Sequence, residues 1–174
     1  MNTNYHPIPQ PNELTTREKE DAMGSYLMMF ASIGAGLPLP LLNLIASIIY
    51  YYIHKKKTLF VKFHTLQSLL SQLPVTLLNG ATMIYLFWNR HDIVKFNNDL
   101  EFSINDQLAG YLIAVAAVNL IYLAFSIAAT VKARQGRMYY FLFFGKIAYH
   151  STFKVRPEDS MEQGEDVIIN KPPV

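Results

Sequence analysis

The sequence predicts an all-α integral membrane protein with four short transmembrane helices and a C-terminal amphipathic segment at the membrane surface. Hydrophobic residues make up 51% of the 174 residues and charged residues only 16%, whereas a soluble domain has roughly 25% charged residues. No acidic residue lies between Asp21 and Asp92, or between Asp106 and Glu158. The long apolar runs fall inside these two acid-free blocks, as expected of segments that cross a bilayer.

Composition also excludes several classes of protein. The chain has no cysteine, which excludes disulfides, thiolate catalysis and cysteine-based zinc sites. The net charge of +2 is too small to indicate a nucleic-acid partner. The N-terminus is not expected to be a signal peptide, because 21 mostly polar residues precede the first apolar run.

The chain divides into a membrane domain and two polar tails. Residues 1–21 are a polar N-terminal tail, residues 22–149 are the predicted four-helix membrane domain, and residues 150–174 are a polar C-terminal tail. Thr15 and Glu18 have the spacing of a capping box. This spacing predicts a helix that starts at Thr15 and continues from the tail into the membrane.

The first apolar block, residues 22–53, carries no Asp, Glu, Lys or Arg. A single helix of this length would measure about 48 Å, well beyond the ~30 Å hydrocarbon core. Residues 34–40 contain two glycines and two prolines, which break or kink a helix. We therefore predict two short helices, 22–36 and 39–53, that form a tight hairpin. Whether each of them crosses fully stays open, and a single kinked span is the alternative.

Two longer helices are predicted at residues 60–88 and 107–131. The polar segment between them, residues 89–106, contains four acids and two bases and is predicted to be an external loop. Residues 138–149 are apolar and aromatic but too short to span, so they are predicted to lie along the membrane surface.

The basic residues predict an orientation. With four spans, thirteen of the 15 Lys and Arg residues lie on the side of the two termini and the 54–62 loop, and only Arg90 and Lys95 lie on the other side. The positive-inside rule therefore predicts a protein of the bacterial inner (plasma) membrane with both termini in the cytoplasm. A three-span topology would move Arg17 and Lys19 to the outer side and stays an alternative.

Polar residues inside the predicted spans are the candidates for function. They form stripes on the two long helices, which predict either a groove for a substrate or partner segment or, more ordinarily, hydrogen bonds between helices worth about 0.6 kcal/mol each. The residues of this stripe are His64, Gln67, Ser68, Gln72, Thr76, Asn79, Asn119, Tyr122 and Ser126. The triplet Lys55, Lys56 and Lys57 is a candidate contact for anionic lipid, although a topology signal is its more ordinary role.

We predict no enzyme active site, no cofactor-binding site and no metal site. No carboxylate lies inside a predicted span, and no two of the five histidines have the i, i+4 spacing of a helical metal site. His64 and Ser68 lie one helical turn apart, but they lack an acid to orient the histidine and an oxyanion donor.

Two motifs in this chain resemble those of a known family of small membrane proteins. The first is Phe-x-x-Phe-His-x-x-Gln, at Phe60, Phe63, His64 and Gln67. The second is basic-x-Gly-x-x-Tyr at residues 134–139, after the last span, and it is followed by a Gly–basic pair at residues 145–146.

The family that these motifs resemble includes the Tic-type channel subunit of the chloroplast inner envelope and small four-span bacterial relatives of unknown function. The resemblance covers about residues 22–149 and implies four spans with cytoplasmic termini and a link to protein translocation. We therefore predict a non-catalytic subunit of a larger inner-membrane complex, associated with protein translocation or membrane insertion. The alternative is a free-standing oligomeric channel or small-molecule transporter. Expected partners are the lipid bilayer and other membrane-protein subunits, with homo-oligomerisation open and no nucleic acid.

Overall fold

The computed structural model describes residues 5–31, 40–90, 94–96, 100–102 and 106–155. These residues form five α-helices, a 3₁₀ turn and a two-stranded hairpin. The helices are α1 Thr16–Leu27, α2 Pro40–His54, α3 Leu59–Trp88, α4 Asp106–Arg134 and α5 Leu142–Phe153. The 3₁₀ turn is Met28–Phe30, and the strands are β1 Val94–Phe96 and β2 Leu100–Phe102.

Helix α1 starts with the predicted capping box. The hydroxyl of Thr15 accepts a hydrogen bond from the main-chain N–H of Glu18 at 3.2 Å, and the carboxylate of Glu18 accepts one from the N–H of Thr15 at 2.7 Å. These two bonds satisfy donors that the first helical turn leaves open. The 3₁₀ turn Met28–Phe30 follows the helix, and residues 32–36 of the predicted helix 22–36 lie outside the described residues.

The capping box makes the stability of α1 depend on pH. Hydrogen bonds from Thr15, first from its hydroxyl, hold the pKa of Glu18 below its ordinary value of 4.5. Because the folded-state pKa is lowered, ionised Glu18 stabilises the fold above pH 4.5, and this stabilisation is lost as the pH falls through the lowered pKa. We expect Glu18→Gln to cost less than about 1 kcal/mol near neutral pH and nothing in strong acid. Thermal unfolding in detergent across this pH range measures the difference, and a cost that stays constant into strong acid would contradict the assignment.

Helices α3 and α4 are long and apolar enough to cross a membrane. In their most apolar 18-residue windows only 22% and 11% of the residues, respectively, are buried inside the protein. A core helix of a soluble protein would instead be mostly buried, so these exposed apolar surfaces are suited to lipid. The bounds of both helices agree with the predicted ranges 60–88 and 107–131 to within three residues.

The prediction of four membrane-spanning helices is not supported. Helix α2 has 15 residues, a length of about 22 Å, which is shorter than the ~30 Å hydrocarbon core. Helix α1 has 12 residues, and its first half is charged. The prediction failed because it treated the apolar block 22–53 as two helices of the membrane interior. As its capping box predicts, the first helix starts at Thr16 in the charged tail, so only its second half is apolar.

Charged contacts hold four helix ends together. Lys57, after α2, lies 2.6 Å from the carboxylate of Asp21 in α1, and Arg134 at the end of α4 lies 2.8 Å from Glu20. The hydroxyl of Tyr50 in α2 also donates to the main-chain oxygen of Asp21 at 2.8 Å. The start of α1, the end of α2, the start of α3 and the end of α4 therefore meet, and we call this region the basic end.

The two ends of the described chain lie side by side. Tyr5 and Lys154 form an antiparallel bridge, and the N–H of His6 donates to the carbonyl of Phe153 at 2.8 Å. The hydroxyl of Tyr5 lies 2.7 Å from Nδ1 of His150 in α5. The N-terminal segment thus packs along the end of α5.

The segment between α3 and α4 contains a short hairpin. Strands β1 and β2 are antiparallel, with Val94 opposite Phe102 and Lys95 opposite Glu101. Each strand has the sequence apolar–charged–apolar, and residues 97–99 between them are Asn, Asn and Asp, types that favour turns.

Candidate functional site

Five buried polar residues link α1 to the first half of α3, and we call them the polar cluster. Its members are Ser25 and Tyr26 of α1 and His64, Gln67 and Ser68 of α3. Nδ1 of His64 lies 2.9 Å from the hydroxyl oxygen of Tyr26, and Nε2 of Gln67 donates to the same oxygen at 2.8 Å. The hydroxyl of Ser68 donates to the main-chain oxygen of Ser25 at 2.8 Å.

The spacing of the residues explains how the polar cluster forms. Ala22, Ser25 and Tyr26 follow i, i+3, i+4 spacing on α1, and the three cluster residues of α3 follow the same spacing, so each set occupies one helix face. Ala22 is fully buried, and its small side chain lets the two helices approach closely. Because the oxygen of Tyr26 accepts a hydrogen bond from Gln67, its own O–H is free to donate to Nδ1 of His64.

The histidine of the polar cluster is enclosed by aromatic rings. The ring centroids of Phe60 and Phe63 lie 4.5 Å and 5.0 Å from that of His64, and both pairs are edge-on. Within the described part of the chain, Nε2 of His64 has no hydrogen-bond partner. Two phenylalanine rings therefore pack against the imidazole, an arrangement that suits a packed side chain.

Gln67 also holds the segment that leads into α5. Its Nε2 donates to the carbonyl of Tyr139 at 2.9 Å, and its Oε1 accepts from the N–H of Phe141 at 3.2 Å. The side-chain amide of Gln67 therefore both donates to and accepts from the main chain of residues 139–141, as a main-chain amide of a paired strand does. A Cβ atom on Gly145 would lie 2.7 Å from Cα of Tyr140 and 2.9 Å from Oε1 of Gln67, so only glycine fits at this contact.

The glycine of the second motif ends α4. Gly136 has φ 73°, a left-handed conformation that glycine adopts without a steric penalty. Its N–H donates to the carbonyl of Ala133, and the N–H of Arg137 donates to that of Lys132, both at 2.9 Å. These bonds form a Schellman motif, which turns the chain from α4 towards α5.

A second set of polar contacts joins α3 to α4. Asn79 and Asn119 donate to each other through their side-chain amides, both at 2.9 Å. The hydroxyls of Thr82 and Tyr111 lie 2.7 Å apart. Both contacts link the half of α3 that lies farther from the basic end to the first half of α4.

The remaining stripe residues lie between these two sets. The hydroxyl of Tyr122 is close enough to Ser71, Gln72 and Ser126 for electrostatic interaction. Among the described residues, however, Gln72 and Ser126 make no side-chain hydrogen bond of standard geometry. Thr76 is buried beside them. The structure thus brings the stripe together in three groups between helices: the polar cluster, the asparagine pair and this intermediate group.

The structure separates the three lysines of the candidate lipid contact. Nζ of Lys55 lies 4.1 Å from the ring centroid of Tyr52, a cation–π geometry. Lys57 is paired with Asp21. Lys56 is exposed. Of these three lysines, Lys56 is the one whose ammonium has no partner among the described residues.

The sequence stripe did not include the α1 members of the polar cluster, Ser25 and Tyr26. A signal was present, because their i, i+3, i+4 spacing from Ala22 matches that of His64, Gln67 and Ser68. The spacing alone, however, does not show that this face of α1 packs against that face of α3. Among the described residues, no group of three or more His, Asp or Glu side chains could hold a metal ion.

Comparison with known protein families shows which family this chain belongs to. The family described as "Magnetosome magnetite crystal formation protein family", MamF/MmsF, matches residues 20–148. The chain belongs to the MamF/MmsF family. The matched range covers more than half of the chain, including both long helices and the loop between them. No curated protein and no solved structure matches the chain.

Membership of the MamF/MmsF family corrects three predictions. The assignment to the Tic-type family is wrong, and so is the function in protein translocation or membrane insertion that followed from it. The alternative, an oligomeric channel or small-molecule transporter, has no support in this family either. The physical reason is that both motifs have packing roles here: one binds α1 and α5 to α3, and the other ends α4. Packing residues identify a fold better than a function.

A bacterial membrane location agrees with the MamF/MmsF family and with the two helices that are long and apolar enough to cross a membrane.

Proposed function

We propose that the chain is a non-catalytic membrane protein that takes part in magnetite crystal formation by presenting the loop between α3 and α4 to the mineral. The observation that carries this proposal is the MamF/MmsF match, which extends over both long helices and the loop they enclose. The family description names the process, and the following features suit this chain to it.

The charge of the loop suits a mineral surface that contains iron. Residues 89–106 include four carboxylates and two basic residues, whereas the opposite end of both long helices is rich in Lys and Arg. Carboxylate oxygens are suitable ligands for hard metal ions, and magnetite exposes ferrous and ferric ions. The acids are Asp92, Asp99, Glu101 and Asp106.

The proposed topology has two full spans, α3 and α4, and a short α1–α2 hairpin that enters from the basic end. It replaces the four-span arrangement because α2 is too short to cross without thinning the bilayer. Both termini stay on the basic side, which the positive-inside rule assigns to the cytoplasm. The loop then lies across the membrane from the cytoplasm, on the side where a crystal enclosed by a membrane would grow.

A non-catalytic role is supported by the interior of the protein. The polar cluster uses its side chains to join α1, α3 and the start of α5, and His64 is enclosed by aromatic rings. In this proposal the partners of the protein are the bilayer, the mineral and neighbouring membrane proteins, including further copies of the chain.

A crystallisation assay tests the proposal. Magnetite is co-precipitated in the presence of the full chain in lipid nanodiscs, and crystal sizes are measured by electron microscopy. The test variant carries Asp92→Asn, Asp99→Asn, Glu101→Gln and Asp106→Asn. The control removes four charges from the C-terminal tail by Glu158→Gln, Asp159→Asn, Glu162→Gln and Glu165→Gln. We expect the unchanged and control proteins to shift the size distribution away from that of empty nanodiscs, and the loop variant to lose the shift. Equal effects of the two variants would refute the role of the loop.

A further inference from the structure

The first two turns of α5 expose several large apolar side chains, whereas Phe153 at the end of the helix is fully buried. Gly145 and Ala148, both small, are buried against the rest of the chain. At about 100° per residue, four exposed residues of the first two turns fall on one side of the helix, and we call them the outer face of α5. They are Leu142, 74% exposed, Phe143, 79% exposed, Ile147, 53% exposed, and Lys146.

The position of α5 along α3 places it near the membrane surface. The ring of Phe153 lies 6.2 Å from that of Phe63, centroid to centroid, in the second turn of α3. Helix α3 has 30 residues and is about 45 Å long, some 15 Å longer than the hydrocarbon core. Trp88, of a residue type that favours the interface, marks its far end. The surplus length therefore lies at the basic end, where α5 packs.

The charges near α5 suit an anionic partner. The acids Glu20 and Asp21 are already paired with Arg134 and Lys57. Within the described part of the chain Lys146 has no ion-pair partner, and it is exposed between apolar residues. A lysine in such a position extends its ammonium to the headgroups while its stem stays among apolar groups.

We propose that the outer face of α5 binds the surface of the bilayer that α3 and α4 cross. Leu142, Phe143 and Ile147 insert at the boundary between headgroups and acyl chains, and the ammonium of Lys146 contacts the phosphate of an anionic phospholipid. Lipid suits this face better than a second copy of the chain, because helices that pack together in membranes bring small residues to the contact. Gly145 and Ala148, two small residues of α5, face inward instead. This proposal is independent of the mineral role of the loop.

Tryptophan fluorescence tests the insertion. Trp88 is the only tryptophan, so Trp88→Phe with Phe143→Trp gives a single reporter on the outer face. The full chain is placed in bilayers of phospholipids that carry bromine either near the headgroup or near the chain ends. We expect bromine near the headgroup to quench several-fold more strongly than bromine near the chain ends.

Two results would overturn the insertion. Quenching by aqueous acrylamide without quenching by bromine would place the outer face in water. Protection from both quenchers would mean that a protein, such as a second copy, covers it. A second reporter, Leu142→Trp in the Trp88→Phe background, gives the same reading if the first variant does not fold.

A second measurement tests the contact of Lys146. A small fraction of brominated lipid, either anionic or zwitterionic, is mixed into unlabelled zwitterionic bilayers. We expect the anionic form to quench the reporter at position 143 more strongly, because Lys146 concentrates it nearby. Lys146→Gln should bring the ratio of the two quenching efficiencies to one. Lys95→Gln, which removes an equal charge from the loop between α3 and α4, should leave the ratio unchanged. A ratio that Lys146→Gln does not change would refute the phosphate contact.

Discussion

Replacing Gln67 with leucine is expected to lower the free energy of unfolding by about 3 kcal/mol. The leucine would fill most of the space but would leave the carbonyl of Tyr139 and the N–H of Phe141 without their partner. A buried polar group that loses its hydrogen bond costs about 1–3 kcal/mol. Reversible denaturant unfolding in detergent measures the loss. Hydrogen exchange at Phe141 should become faster, because its N–H is then free to exchange.

Gln72 provides a matched control on the same helix. It is as deeply buried as Gln67, but its amide makes no hydrogen bond of standard geometry among the described residues. Gln72→Leu should therefore cost much less than Gln67→Leu and could even stabilise the protein, because it removes a buried amide that lacks partners. Equal costs for the two substitutions would show that burial, and not the link to residues 139–141, sets the importance of Gln67.

Gly145→Ala is expected to destabilise the protein by about 2 kcal/mol, the usual cost of overpacking a tight contact. The added Cβ would lie 2.7 Å from Cα of Tyr140. A main-chain atom cannot rotate away, so α5 must move relative to residues 139–141. The cost is measured by unfolding in detergent, and the displacement by faster proteolysis of the segment that leads into α5.

Two other glycines serve as controls for this substitution. A Cβ on Gly80 in α3 or Gly110 in α4 would meet nothing within 4 Å. Alanine at either position should be neutral or stabilising by up to about 1 kcal/mol, because alanine favours the helix. If Gly145→Ala were as mild as these two, the close approach of α5 to Tyr140 would be refuted.

The helices predicted most accurately from the sequence were those flanked by polar or charged segments. Helices α3 and α4 are long apolar runs between polar or basic segments, and their observed bounds, Leu59–Trp88 and Asp106–Arg134, lie close to the predicted ones. The capping box of Thr15 and Glu18 was confirmed because it depends on residues three positions apart. Helix α5 was located less well. Residues 138–149 were predicted as a surface segment, and the helix runs from Leu142 to Phe153.

The polar stripe was predicted as a set of residues without knowledge of what each one contacts. Asn79 and Asn119 were both in the stripe, but their reciprocal bond depends on the register of α3 against α4. Tyr26 was not in it, because nothing in its local sequence reveals that α1 lies against His64. The residues Phe60, Phe63, His64 and Gln67 were read as a mark of one family, whereas the whole range 20–148 matches another.

The two long membrane-suited helices, their ends to within three residues and the basic character of one end were all predictable from the sequence. These properties follow from apolar run length and from charge, which act along a single segment. The packing of α1 on α3 and α4, and the hold of Gln67 on the start of α5, were fixed only by the tertiary structure. The same holds for the exposed positions of Leu142, Phe143 and Ile147 on α5. These properties depend on contacts between segments far apart in the chain, which are fixed by packing and buried hydrogen bonds.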